Sequence, residues 1–206
     1  MALKFQFNKT ALAQLKKELK VRVKALPTLK AKETALRLEV KKAKEQLSAA
    51  QKLFDERLES INKFAKLWKE FPEDILRADK VEKIFKKIAG VRIPFVEKVE
   101  FSLTVDSFFA RAAWTAAGIE QLKESAELAI KIEVAKERLS ILEYARKKTT
   151  QKVNLYEKVQ IPEYNAGILK IKRFMEDEEN LEKSAQKILK DKLNQQEKLK
   201  QQQEAA

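Results

Sequence analysis

From Leu12 to Phe71 the apolar side chains recur in alternating steps of three and four residues. One track runs Leu12, Leu19, Leu26, Glu33, Val40, Leu47, Phe54, Ile61 and Trp68, and the other Leu15, Arg22, Leu29, Leu36, Ala43, Ala50, Arg57, Phe64 and Phe71. Only Glu33, Arg22 and Arg57 are polar, and Lys and Glu fill most positions between. A period of 3.5 held over this length keeps one narrow stripe against a partner helix, because 3.6 residues per turn does not divide seven. The stretch predicts a coiled-coil helix about 90 Å long at 1.5 Å per residue, and hence a rod. Asn8 or Thr10 caps its start behind Phe5 and Phe7. Pro27 bends it without ending it, since Leu19, Leu26, Leu29 and Leu36 continue the stripe on both sides.

The pattern stops at Glu70-Phe71-Pro72-Glu73-Asp74, where proline breaks the helix. A short amphipathic helix is expected over 74–89, with Val81, Ile84, Phe85 and Ile88 on one face and Gly90 at its end. From Val91 to Val105 the period changes to two. Val91, Ile93 and Phe95 alternate, then Val99, Phe101, Leu103 and Val105, which predicts two short strands joined near Val96-Glu97-Lys98 as a β-hairpin. Helix resumes between Ser107 and Gly118, with Phe108, Phe109, Ala112, Trp114 and Ala116 forming a small-and-aromatic surface. A second heptad track then runs through Leu128, Ile132, Ala135, Leu139, Leu142, Arg146, Thr149, Val153 and Tyr156. It resumes in shifted phase as Ile161, Tyr164, Ile168, Ile171 and Met175, with Pro162 at the shift. Asn194 onward is polar on all sides and should fray.

The fold class expected is mainly α: a long antiparallel two-helix coiled coil of the N- and C-terminal segments, with a small middle insert holding a short helix and a β-hairpin. The division is 1–71 for the first helix, 72–118 for the insert and 119–206 for the second helix, in one structural unit. The seam comprises Leu12, Leu15, Leu19, Leu26, Leu36, Leu47, Leu128, Ile132, Leu139, Leu142 and Val153. If Phe71 lies near Gly118, facing residue numbers add to about 190, which sets Glu176, Asp177, Glu178 and Glu179 near Lys9, Lys16, Lys17 and Lys20.

Composition narrows the chemistry. The 206 residues contain neither Cys nor His, which removes thiolates, disulfides, His-based triads and the usual zinc ligands. Gly90, Gly118 and Gly167 lie too far apart for a phosphate-cradling loop. Consecutive Glu176–Glu179 point to different sides of a helix and cannot converge on one cation. No catalytic residue, cofactor or metal site is expected, and Trp68 and Trp114 are packing residues. No export signal or membrane span is expected. The net charge is +13, and residues 1–70 carry 18 basic against 8 acidic side chains. That end should seek an acidic surface, whether protein, nucleic acid or lipid headgroups.

Three stretches carry a resemblance. Leu15-Lys16-Lys17-Glu18-Leu19-Lys20-Val21 through Leu29-Lys30-Ala31-Lys32 resembles the N-terminal helix of the central-stalk D subunits of V-type and A-type rotary ATPases. Lys152-Val153-Asn154, Val159-Gln160-Ile161-Pro162 and Ile168 to Ile171 with Glu176–Glu179 resemble the C-terminal helix of that family, and Gly90-Val91-Arg92-Ile93-Pro94 the segment entering its middle region. Ala25-Leu26 departs from the Gly-His usual there.

The resemblance implies a non-catalytic rotor shaft that transmits torque between the ATP-hydrolysing or ATP-synthesising A–B ring and the membrane ion-translocating ring, in H+ or Na+ transport. The implied partners are the A and B subunits, the small F subunit on the middle region and the funnel-shaped C (d) subunit at the base. Nucleic acid, direct membrane insertion and homo-oligomerisation are not expected; the location is cytoplasmic and peripheral to the membrane. Lys9, Lys16, Lys17, Lys20, Met175 and Glu178 are the expected catalytic-ring contacts. Ile84, Phe85, Ile88, Val91, Ile93, Phe95, Phe101 and Leu103 are the expected contacts with the small stalk subunit. The alternative is a basic coiled coil that binds membrane surfaces, which would require acidic lipid, or nucleic acid, with an affinity that would fall steeply with salt.

Overall fold

A computed structural model describes residues 6–63, 65–69, 71, 75–104, 112 and 114–204, with side chains to residue 194 apart from residue 65. The elements are α1 (Lys9–Asn62), α2 (Ala65–Trp68), β1 (Leu76–Ile88), β2 (Val91–Leu103), α3 (Trp114–Asn154), a π-helical turn (Leu155–Gln160) and α4 (Ile161–Glu204). Phe5, Phe64, Pro72, Val105, Phe108 and Phe109 lie outside the described residues.

Asn8 is the cap of α1: the Ala11 backbone N–H donates to its Oδ1 at 2.7 Å, satisfying one of the first-turn donors that no helix can pair internally. α1 passes through Pro27 as one helix. Pro27 and Val23 are both exposed, so the carbonyl left without a donor four residues before the proline can be hydrated.

The short helix expected over 74–89 is instead a strand. β1 pairs antiparallel with β2 over its whole length, from Leu76–Leu103 to Ile88–Val91. The turn sits at Ala89–Gly90, not at Val96–Lys98, and both turn residues have positive φ, 48° and 80°. Two successive left-handed residues are what a two-residue hairpin needs to match the twist of its strands. The stretch 91–105, read as two strands, is one strand as far as Leu103.

Two things hid β1. Register shifts at Ala78/Lys80 and Glu82/Lys83 leave Asp79 and Glu97 unpaired, and each such bulge resets the alternation. In addition Lys86 lies opposite Ile93, with its ammonium 5.2 Å from the centre of the Phe95 ring. A lysine stem thus fills a position where the period-two pattern wants an aliphatic residue.

The chain forms two compact units: residues 1–29 with 152–206, and residues 30–151. In the first, α1 and α4 pack Leu15 against Tyr164 and Ile171, flanked by Leu12, Leu19, Ile168 and Met175. Cross-helix partners here are Phe7 with Phe174, Glu18 with Tyr164, and Arg22 with Gln160. In the second, Leu36, Val40 and Ala43 of α1 meet Leu142 of α3 and Ile93 of β2. Lys44 pairs with Glu143, Arg57 with Glu124, and Gln46 with Arg138.

Pairing is antiparallel in both units. Facing numbers add to between 181 and 187 instead of 190. Glu176–Glu179 therefore pass beyond Lys16, Lys17 and Lys20, and among the described residues no ion pair joins the two clusters; Glu179 pairs with Lys183 of its own helix at 2.7 Å.

The phase shift before Pro162 has a physical form. The Ile161 N–H donates to the Tyr156 carbonyl, five residues back. A π turn holds one residue more than an α turn, so the seam after it falls one position later.

Candidate partner-docking surfaces

Within unit 30–151 the hairpin lies with one side against α1 and α3. Ile93 is 1% exposed, and Ile88, Val91 and Phe95 pack around the same core. These four of the expected partner contacts are therefore used by the unit itself. Phe85, 63% exposed, and Leu103 are open, while Ile84 and Phe101 are half-buried.

The hairpin is fastened by charge as well as by packing. The Arg138 guanidinium sits 4.7 Å from the Phe95 ring centre and donates to Gln46 Oε1 at 2.9 Å. Burial pulls Arg138 below its ordinary pKa, and its Nε–H has no acceptor among the described residues. A small cavity of about 90 Å³ borders it, lined by Glu39, Gln46, Ile93 and Phe95 among others. Lys83 adds a 2.9 Å ion pair to Glu137 of α3.

Further along, four charges alternate in a square. Lys80 bonds Glu82 at 2.7 Å and Lys98 bonds Glu100 at 2.9 Å, while the register sets Lys80 opposite Glu100 and Glu82 opposite Lys98. The hydrogen bond from Lys80 lowers the Glu82 pKa, and Glu100 raises that of Lys98. All four are exposed or half-buried, and such charged strands discourage edge-to-edge pairing with other sheets.

An aromatic cluster joins α2 to the start of α3. The Trp68 and Trp114 rings meet edge-on at 5.9 Å, and Phe71 stands 5.0 Å and 5.7 Å from them. Gly118 makes room: a Cβ there would lie 2.9 Å from Phe71 Cε2. A cavity of about 140 Å³ opens beside it, lined by Leu67, Trp68, Trp114, Ala117, Gly118 and Gln121.

In the other unit, Lys9, Lys16, Lys17, Lys20 and Glu178 are exposed, and Met175 is half-buried against the Leu15–Ile171 core. The heptad pattern does not reveal a stripe on α4: Leu181, Ile188, Leu189 and Leu193 are all exposed, Leu181 by 72%. Their spacing of seven, one and four places them on one side of a helix. The signal is present in the sequence but is overshadowed by the polar run that follows, through which α4 remains helical to Glu204.

Among the described residues no group of three or more His, Cys, Asp or Glu could hold a metal ion, and no helix is long and apolar enough to cross a membrane. The arrangement defines a class: antiparallel helix pairs carrying a β-hairpin. Residues 11–191 match the family described as the D subunit of ATP synthase, and this chain belongs to it. It is 30% identical to the V-type ATP synthase D subunit of Borreliella burgdorferi over 178 residues, 85% of this chain and 88% of that one. The same-named protein of Chlamydia felis is 32% identical over 175 residues, 82% and 84% of the two chains. That of Chlamydia muridarum is 28% identical over 200 residues, 95% and 98%.

Proposed function

We propose that this protein is the non-catalytic central shaft of a V/A-type ATPase, transmitting torque between the catalytic A–B ring and the ion-translocating rotor at the membrane. One observation carries the reading beyond family membership: α1 pairs antiparallel with the later helices of its own chain in both units. Interlocked seams resist independent twisting of either helix, and an asymmetric cross-section favours a different conformation in each A–B pair. Nucleotide state and shaft angle are then linked equilibria.

The three segments divide the labour. Residues 1–71 and 119–206 supply the shaft, with Lys9, Lys16, Lys17, Lys20, Met175 and Glu178 facing the ring. Long-stemmed lysines in water attract a ring of carboxylates or carbonyls without locking to one geometry, which suits a bearing. Residues 72–118 dock the small F subunit through Phe85, Leu103 and the half-buried Ile84 and Phe101. The Trp68–Phe71–Trp114 cluster, with its cavity, faces the C (d) subunit.

The direct test is reconstitution with purified A, B and F subunits. Co-elution of all four, and ATP-driven rotation of a bead attached to this chain, are expected. Failure to associate, or salt-sensitive capture by acidic liposomes or nucleic acid instead, overturns the assignment.

A further inference from the structure

The hairpin of unit 30–151 is sorted by charge along its length. Near the turn, residues 83–96 carry four basic side chains, Lys83, Lys86, Lys87 and Arg92, and no acidic one. Toward the open end, residues 76–82 and 97–103 carry three basic and four acidic side chains. There the strands obey the rule for cross-strand pairs, with Lys80 opposite Glu100 and Glu82 opposite Lys98. Next to the turn they break it. Lys87 lies directly opposite Arg92, and like charges so placed repel and weaken the pairing.

Among the described residues no carboxylate relieves that repulsion. Lys87 and Arg92 are exposed, and neither side chain has an ion-pair or hydrogen-bond partner there. Lys83 is taken up by Glu137, and Lys86 by the Phe95 ring. A further cation comes from α1: the Lys32 ammonium lies 3.4 Å from where a Cβ on Gly90 would stand, which places it at the turn. Protection of the strand edges does not explain the sorting, because the alternating charges at the open end protect equally well. A local rule broken at a cost to folding marks a functional position.

We propose, resting on the reading that the hairpin docks the small F subunit, that Lys87 and Arg92, with Lys32 beside them, receive carboxylates of F around the Phe85 anchor. Phe85 stands two residues from Lys87 on a stretch of β1 without a register shift, so the two side chains project from one face. Arg92, opposite Lys87, shares that face. An exposed aromatic ringed by cations fits a partner surface with an apolar pocket and an acidic rim. Pairing with that rim offsets the repulsion that the free hairpin carries.

The test is calorimetric titration of the full chain with purified F subunit at about 0.05 M and about 0.5 M salt. The parent is expected to bind F more weakly at the higher salt. Lys87→Gln/Arg92→Gln should bind about tenfold more weakly than the parent at low salt, and the gap should close at high salt. Lys87→Arg/Arg92→Lys, which keeps both charges, should retain the affinity and the salt dependence of the parent. In urea the Gln pair should unfold at or above the parent midpoint, because a repulsive pair has been removed; binding and stability then move in opposite directions, which general damage to the hairpin cannot produce. Parent affinity and salt dependence in the Gln pair overturn the charge assignment and leave F as the partner of the hairpin. No binding of F by the parent overturns both. Acidic phospholipid vesicles and duplex DNA are tested in parallel, and capture by either that needs Lys87 and Arg92, with F affinity unchanged in the Gln pair, gives the cations to that ligand instead.

Discussion

Gly118 and Phe71 approach so closely that a methyl group on Gly118 would stand 2.9 Å from Phe71 Cε2 and 3.3 Å from Trp114 Cζ3. Helix propensity favours alanine over glycine by up to about 1 kcal/mol, whereas overpacking a filled site costs about 1–3 kcal/mol. Crowding wins, because the ring cannot withdraw without opening its contacts with both tryptophans. Gly118→Ala is expected to lower the urea midpoint and change the emission of Trp68 and Trp114. A midpoint at or above that of the parent would show the cluster to be loosely packed.

Ala89 occupies a left-handed conformation at the hairpin turn, beside Gly90. A Cβ there costs about 1–2 kcal/mol, which Asn lessens by local hydrogen bonding, and Asn-Gly is the favoured pair for this turn. Ala89→Asn is therefore expected to stabilise unit 30–151 by about 0.5 kcal/mol. Hydrogen exchange at β1 and β2 amides checks it: protection should rise in the hairpin.

The coiled coil was legible because heptads leave little freedom: Leu15, Leu36, Leu142 and Ile171, all buried, stand out by spacing alone. The hairpin was legible only in its second strand, where Val91, Ile93 and Phe95 alternate cleanly. β1 was lost to two bulges and to Lys86 in an aliphatic position. Nor could spacing show that Ile93 faces its own helices while Phe85 faces water. Alternation says that two faces differ, but not which one the tertiary structure covers. The antiparallel sense followed from chain order, and Phe71 does lie against Gly118; the register along the helices differs by several residues because α1 ends at Asn62, before that contact.

Glu18 and Tyr164 make stability depend on pH at both ends. Hydrogen bonding from Tyr164 lowers the Glu18 pKa below its ordinary 4.5, so its contribution is complete above that value and is lost as pH falls through the lowered one. Desolvation, then the bond to Glu18, raises Tyr164 above 10.0. Its contribution is complete below pH 10.0 and is lost as pH rises through the raised value. Tyr164→Phe should cost about 1 kcal/mol near neutrality and flatten both limbs of a melting-temperature profile against pH. Limbs that keep their slopes would assign the pH dependence to other groups.

Replacing Lys16, Lys17 and Lys20 together with Gln should leave folding unchanged, because all three are exposed and none is ion-paired among the described residues. Assembly with the A–B ring should weaken and become less sensitive to salt, since screened attraction is the part removed. Co-purification across a salt series measures both. Equal recovery of parent and variant at every ionic strength would remove the bearing role from these lysines.

Phe85 and Ile93 separate docking from folding within one hairpin. Ile93 is enclosed by Leu36, Val40, Ala43 and Leu142, and Ile93→Ala should cost about 2–5 kcal/mol through lost burial and the cavity left behind. Phe85 is 63% exposed, and truncation there should change stability by less than about 0.5 kcal/mol. If the hairpin docks the small F subunit, Phe85→Ala should instead weaken that complex by about 1 kcal/mol or more, as an aromatic interface anchor does. Calorimetric titration with purified F subunit, alongside urea unfolding of each variant, measures the two effects separately. Native affinity in Phe85→Ala would move the F-docking face away from the exposed side of β1.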